Sequence, residues 1–245
     1  MEADSQIALY SKNSELRFST ASTAKIMTAL VALEYYQDKS VLTINNPIVQ
    51  GSYLGFQKGE KFYFKDLLFA MLLPSSNEAA LSMAENYQGG VQAFVTRMNE
   101  KALAMHLINT HFSDPAGLDD DNNYSTALDL ARLAGYAMKN EKIAATVSTK
   151  QTIISDVANS GHFQLDNLNK LLGIDGVNGI KTGTTRGAEE VLITSIVAKG
   201  HTFIIVVMKS RQRFVDTKTL MSLISNNVRY ITPEYSTSLV TSDIK

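Results

Sequence analysis

The chain has 245 residues, 44% of them hydrophobic, and carries 23 basic against 24 acidic side chains. That supports a sizeable core, as one large domain or two packed lobes, and offers no basic stripe to a nucleic acid. The absence of cysteine excludes a thiol nucleophile, thiolate metal sites and disulfides. No apolar run is long enough to span a bilayer. Met1 is followed by Glu2-Ala3-Asp4, with neither a basic segment nor an apolar signal core. That start reads as cytoplasmic unless an export signal has been removed.

In chain order, Gln6 to Tyr10 reads as a short strand, and Lys12-Asn13-Ser14 marks a turn. Ser22 then opens a helix that fades near Gln37-Asp38. Its run from Ala24 to Leu33 holds no glycine or proline. Ile26, Leu30 and Leu33 fall on one helical face, Met27 and Val31 on another. A helix apolar all round belongs inside the domain. Val41 to Ile44 and a loop with Gly51, Gly55 and Gly59 follow. A second apolar helix spans Lys65 to Leu73 and stops at Pro74. Ser75-Ser76-Asn77-Glu78 begins a third helix, to about Tyr87. A fourth runs from Val91 to Met105 with Val91, Phe94, Val95, Met98 and Ala102 on one face. Ser125 caps a fifth, to about Lys139, with Leu128, Ala131 and Gly135 inward. The period then changes. Thr146 to Ile154 reads as a strand, and Leu165 to Leu172 as a connection. Val177 to Thr182, Val191 to Val197 and Phe203 to Met208 read as further strands, the last buried on both faces. Val215 to Tyr230 closes as an amphipathic helix with Leu220, Leu223 and Ile224 inward. Strands at both ends with helices between predict a sheet lobe interrupted by a helical lobe.

Three short motifs carry chemistry. In Ser22-Thr23-Ala24-Lys25 the hydroxyl and the amine share one side of a helix, roughly 5–6 Å apart at Cβ. The pair is a candidate nucleophile beside a candidate base; the plainer reading is a serine cap and a lysine that snorkels outward. In Ser75-Ser76-Asn77, the plainer reading is a capping box of Ser75 with Glu78. The chemical reading is a hydroxyl that relays a proton and an amide that restrains Lys25 or holds a carbonyl. In Lys181-Thr182-Gly183-Thr184, a strand edge without a blocking side chain would accept an extended peptide. Lys181 and Thr182 would offer a cation and a hydroxyl to an anionic group.

Together and in this order, Ser-x-x-Lys, Ser-x-Asn and Lys-Thr-Gly are the trio of penicillin-binding proteins and class A β-lactamases. The chain resembles the D-alanyl-D-alanine carboxypeptidases of low molecular mass within that superfamily. Further matching text includes Leu9 to Asn13, Met27 to Glu34, Thr110-His111-Phe112, Gly117-Leu118-Asp119, Tyr124 to Ala127 with Asp129, Asn167 to Leu172, and Gly179 to Thr185. The resemblance covers about residues 5–230. It implies an α+β fold of the β-lactamase/transpeptidase type: an antiparallel sheet flanked by helices with an inserted helical lobe. One domain over 1–245 would comprise a sheet lobe (about 1–40 and 146–231), a helical lobe (about 41–145) and a tail (232–245). It further implies Ser22 as nucleophile, Lys25 as base, and Ser75 and Asn77 as the second catalytic motif. Lys181, Thr182 and Gly183 form the third, with the oxyanion hole at the N–H groups of Ser22 and Thr184. Arg213 would sit near the substrate's terminal carboxylate. A lysine base must be neutral, so its ordinary pKa of about 10.4 must fall through burial and a second cation, Lys181.

The implied partners are the peptidoglycan pentapeptide stem and β-lactam antibiotics, with no cofactor or metal. The implied location is extracytoplasmic, with membrane attachment only through segments absent from this chain. Two positions depart from family text: Thr20 stands where proline is usual, and Glu189 where Ala188 is usually followed by glycine. The resemblance also implies a first sheet strand ahead of Met1. A class A β-lactamase would need Glu-x-x-Leu-Asn. Glu78-Ala-Ala-Leu81-Ser82 and Glu100-Lys-Ala-Leu103-Ala104 both lack the asparagine. A DD-endopeptidase uses the same site, and a silent stem-binding module is the non-enzymatic alternative, against which the intact Ser22, Lys25, Asn77 and Lys181 argue. The histidines His106, His111, His162 and His201 lack zinc-helix spacing and suggest no triad.

Overall fold

A computed structural model describes residues 1–47 and 49–229. Strand β1 (Phe18–Ser19) leads into a 3₁₀ turn (Ala21–Ala24) and helix α1 (Lys25–Tyr35). Every residue of α1 from Lys25 to Ala32 is buried, as the all-round apolar pattern requires. Strands β2 (Val41–Thr43) and β3 (Lys61–Tyr63) pair antiparallel ahead of α2 (Phe64–Leu72), which ends before Pro74. Helices α3 (Asn77–Glu85) and α4 (Gly90–Ala104) follow. Strand β4 (Tyr124–Ser125) returns to pair with β1. Helix α5 (Ala127–Ala137) begins at a cap on Thr126, whose side chain accepts from the Asp129 N–H. The cap is therefore one residue beyond the expected Ser125.

Helix α6 (Glu141–Val147) corrects the expected strand over 146–154. Thr146 and Val147 have strand-like side chains, but Asn140 Oδ1 accepts the N–H groups of Lys142 and Ile143 and starts a helix. Ile143 and Val147 then bury themselves against the body of the protein. The strand itself, β5 (Gln151–Ser155), pairs with β6 (His162–Asp166). Leu165 therefore lies in a strand rather than a connection.

The main sheet is antiparallel, in the order β7 (Val177–Thr185), β8 (Glu189–Ala198), β9 (His201–Ser210). The expected strand at residues 6–10 does not form, and Ile7, Leu9 and Tyr10 are exposed. The outer edge of β9 is occupied by Met1 to Ala3 instead. Met1 and Ile204 exchange two hydrogen bonds of 2.9 Å, and Ala3 N–H donates to Thr202 O at 2.9 Å. The outer edge of β7 carries no strand among the described residues.

The two faces of the sheet join two apolar clusters. Ile180, Ile193 and Ile204 face the main core, which they share with α1 through α6. Leu192, Ile196, Phe203, Ile205 and Val207 pack with Met221 and Ile224 of α7 (Arg213–Asn227). A strand such as β9, covered on both sides, is apolar at consecutive positions. On α7 the buried residues are Thr217, Met221 and Ile224; Leu220 is half-buried and Leu223 is exposed. Leu128 and Val91 are half-buried rather than core. Tyr230 and the tail from 232 onward lie outside the described residues.

Candidate active site

The nucleophile candidate sits on a constrained turn. Ser22 lies in the 3₁₀ segment rather than in α1 itself, and Ala21 before it has φ of 46°. A loop from Asp114 to Leu118 packs directly on this turn. Gly117, at φ of 81°, passes so close that a Cβ there would lie 1.8 Å from Ala21 O. The loop is ordered by Asp114, whose carboxylate accepts the N–H groups of Ala116, Gly117 and Leu118 and the Asn123 side-chain amide. Its reward is the position of one carbonyl, Ala116 O, which points at Lys25.

Lys25 is wholly buried. Its Nζ lies 2.9 Å from Ser22 Oγ, 2.6 Å from Asn77 Oδ1 and 2.7 Å from Ala116 O. Two of those partners are acceptors only. A neutral amine gives its two protons to Asn77 and Ala116 and has one lone pair left, aimed at the one partner that can donate, the Ser22 hydroxyl. Burial first, then the charge of Lys181, holds Lys25 well below its ordinary pKa, with Asp114 opposing. Ser22 itself is half-buried and so open to a ligand.

The second motif is built differently from its expected capping box. The cap of α3 is Ser76, whose Oγ accepts the Ala79 N–H at 3.1 Å. Glu78 accepts the Ser76 hydroxyl at 3.3 Å and, reaching beyond the helix, the N–H groups of Leu54, Gly55 and Phe56. This fixes the 50–56 loop against α3, and Asn77 Nδ2 donates to Gln50 O in the same loop. The Asn77 amide is thus oriented with its oxygen toward Lys25. Ser75 is buried at φ of 70°, and its hydroxyl has no hydrogen-bond partner.

The third motif lies on the open edge of β7. A Cβ on Gly183 would lie 2.9 Å from Ala21 Cβ and 3.1 Å from Ser22 N, so only glycine lets the edge approach the nucleophile turn this closely. Lys181 and Thr182 are buried, and Thr184 is exposed. Lys181 Nζ donates to Thr182 O at 3.1 Å. Its pKa is pushed down to about 7 by burial and by the nearby Arg213 charge. Arg213 Nη1 donates to Gly183 O and to Thr184 Oγ1, both at 2.7 Å. Its own pKa is lowered by burial, with Glu190 opposing, and its Nε is buried without a partner. Two cations thus flank the edge with unspent capacity for an anion.

Ser22, Lys25 and Asn77 are joined by direct hydrogen bonds, Gly183 lies against the backbone of Ser22, and Arg213 bridges Gly183 and Thr184. Sequence reasoning missed Asp114, Ala116 and the tie made by Glu78. Asp114-Pro115-Ala116-Gly117 is a recognisable turn signal, but which carbonyl it aims, and at what, is a tertiary matter. At Glu189 the backbone takes φ of 54°, the region that favours glycine. A 3.0 Å ion pair with Lys209 accompanies it.

Residues 1–212 match the family described as D-alanyl-D-alanine carboxypeptidase. A D-alanyl-D-alanine carboxypeptidase of Bacillus subtilis is 33% identical over 210 residues, covering 82% of this chain and 53% of the relative. The D-alanyl-D-alanine carboxypeptidase of Streptomyces sp. strain K15 is 33% identical over 221 residues, covering 82% and 76%. The chain therefore spans about half the length of the Bacillus relative and three-quarters of the Streptomyces one. A D-alanyl-D-alanine endopeptidase of Escherichia coli is 33% identical over 207 residues, covering 82% and 66%. Among solved structures, a mutant of the Streptomyces K15 DD-transpeptidase superposes with a TM-score of 0.85 at 32% identity, covering 91% of this chain and 94% of that one. On the match over residues 1–212 and on these identities, the chain belongs to the D-alanyl-D-alanine carboxypeptidase family of serine peptidases.

Proposed function

We propose that this protein is a serine DD-carboxypeptidase that removes the terminal D-Ala from peptidoglycan pentapeptide stems, and that β-lactams acylate the same hydroxyl. The observation that carries the reading is the Lys25 amine, 2.9 Å from Ser22 Oγ, with its other two partners unable to donate.

In this reading Lys25 takes the Ser22 proton as Oγ attacks the penultimate D-Ala carbonyl. The resulting oxyanion is met by the N–H groups of Ser22 and Thr184. Lys181 and Arg213 hold the terminal carboxylate, with Thr182 and Thr184 offering hydroxyls. The C–N bond breaks as the D-Ala nitrogen takes a proton, relayed from Lys25 through Ser75, whose hydroxyl is otherwise unpartnered. Water then attacks the acyl ester and gives a proton to Lys25, which passes it to Ser22 Oγ as the ester C–O bond breaks and the shortened stem leaves. In this reading the cleft lies between a sheet lobe (about 1–40 and from 146, described to residue 229) and a helical lobe (about 41–145), and the working location is extracytoplasmic. Among the described residues no helix is long and apolar enough to cross a membrane.

Mass spectrometry after benzylpenicillin treatment tests the assignment. The adduct is expected on Ser22 and absent in Ser22→Ala; an adduct elsewhere, or none on the folded wild type, defeats it. Because the E. coli relative carries the name endopeptidase, cleavage of soluble pentapeptide is to be compared with cleavage of cross-linked muropeptide. Faster release of D-Ala from the pentapeptide is expected.

A further inference from the structure

Two backbone segments must keep a fixed spacing for the proposed chemistry, since one carries the Ser22 N–H and the other the Thr184 N–H. They approach closely at Gly183, where an added Cβ would lie 3.1 Å from Ser22 N. The polar tie between them runs through a side chain from a third segment. Asp119 Oδ1 accepts Ser19 Oγ at 3.2 Å, three residues before Ser22, and Thr185 Oγ1 at 2.6 Å, the residue after Thr184. Its Oδ2 accepts the Gly187 N–H at 2.9 Å, and Thr185 Oγ1 in turn accepts the Ala188 N–H at 3.0 Å. Burial works against the charge, but these hydrogen bonds outweigh it and hold the Asp119 carboxyl below its ordinary pKa. Gly187 is fitted to the same carboxylate: a Cβ there would lie 2.8 Å from Asp119 Oδ1.

We propose that Asp119 is a positioning residue whose carboxylate clamps the β7–β8 turn to the start of the nucleophile turn and so sets the spacing of the two oxyanion donors. This rests on the acyl-enzyme reading above. Asp119 is exposed at the rim of the cleft, so its hydrogen bonds contribute little to global stability. Their effect falls on geometry, where a displacement of about 1 Å can cost roughly a hundredfold in rate.

The test is the rate constant for acylation by a fluorescent penicillin, with labelled amplitude recorded separately. Asp119→Ala is expected to lower the rate constant roughly 10–100-fold with full amplitude, and Asp119→Asn, which keeps one acceptor, by less. Gly187→Ala, which displaces the carboxylate without removing it, is expected to lower it in the same direction and to decide the matter if Asp119→Ala does not fold. Rate constants within about twofold of wild type, or a loss confined to amplitude, overturn the proposal. Amide hydrogen exchange over residues 183–187 gives a readout independent of catalysis. Exchange is expected to quicken in Asp119→Ala, and unchanged exchange overturns the clamp. Failure of wild type to label at Ser22 would instead strike the functional reading, and the exchange experiment would still judge the clamp.

Discussion

The two walls of the cleft are built on opposite plans. On the side built by the start of α1, α3 and the 114–118 loop, Lys25 is held by three partners, two of which are themselves held: Asn77 by Gln50, Ala116 by the turn around Asp114. On the strand side, the edge of β7 carries no strand among the described residues, and its cations have few protein partners there. On the proposed function, the difference follows from what each wall would handle. A proton moving along a fixed line calls for a buried, hydrogen-bonded network. A peptide that enters and leaves calls for unfilled hydrogen-bonding groups and charge.

The largest expected effect is on the wired wall. Lys25→Met should lower acylation by about a thousandfold or more, since general-base transfer contributes roughly 10²–10⁴-fold. Circular dichroism and a stopped-flow penicillin assay measure this. A loss under about tenfold would mean that Lys25 is not the base.

Next is the approach of the bare wall. Gly183→Ala inserts a methyl 2.9 Å from Ala21 Cβ and 3.1 Å from Ser22 N. The edge must retreat, and acylation should drop roughly 10–100-fold while the Lys25 network stays intact. An unchanged rate would show that the edge does not need to be this close.

The pH profile separates the walls without mutation of the helical side. Activity should fall through about 7 in the free enzyme as Lys181 loses its charge, while Lys25, held well below its ordinary value by burial and by the Lys181 charge, must be neutral to act. Lys181→Arg keeps the charge and should move the alkaline limb of kcat/KM upward; an unmoved limb assigns it elsewhere. Stability runs the other way. Because both lysines have folded pKa values below 10.5, the unfolded chain binds more protons between about 7 and 10, and stability to urea should increase over that range.

The smallest effect belongs to the turn beyond the edge. Glu189→Gly relieves left-handed backbone but loses the Lys209 ion pair and loosens the unfolded chain. These terms oppose, so urea midpoints should place the variant within about 1 kcal/mol of wild type, with acylation unaltered. A change beyond that would show that the turn contributes to the rigid wall.

The sequence by itself determined the parts whose signal is local. The apolar run of α1, the stop at Pro74, the alternation to a sheet and the three motifs all express helix period, side-chain volume or backbone freedom within a few residues. So did the Ser22–Lys25 pairing, because residues three apart in a helical turn must be neighbours. Tertiary structure decided what depends on distant partners. Residues 6–10 read as a strand, but the sheet edge went to Met1–Ala3. Thr146 and Val147 favour a strand, but Asn140 and the packing of Val147 made a helix. The roles of Glu78, Asp114 and Asp119 were likewise invisible, because each carboxylate meets donors, backbone N–H groups and side chains alike, that the fold brings to it. A side chain's identity is written in the sequence; the amide it will meet is chosen only when the chain closes on itself.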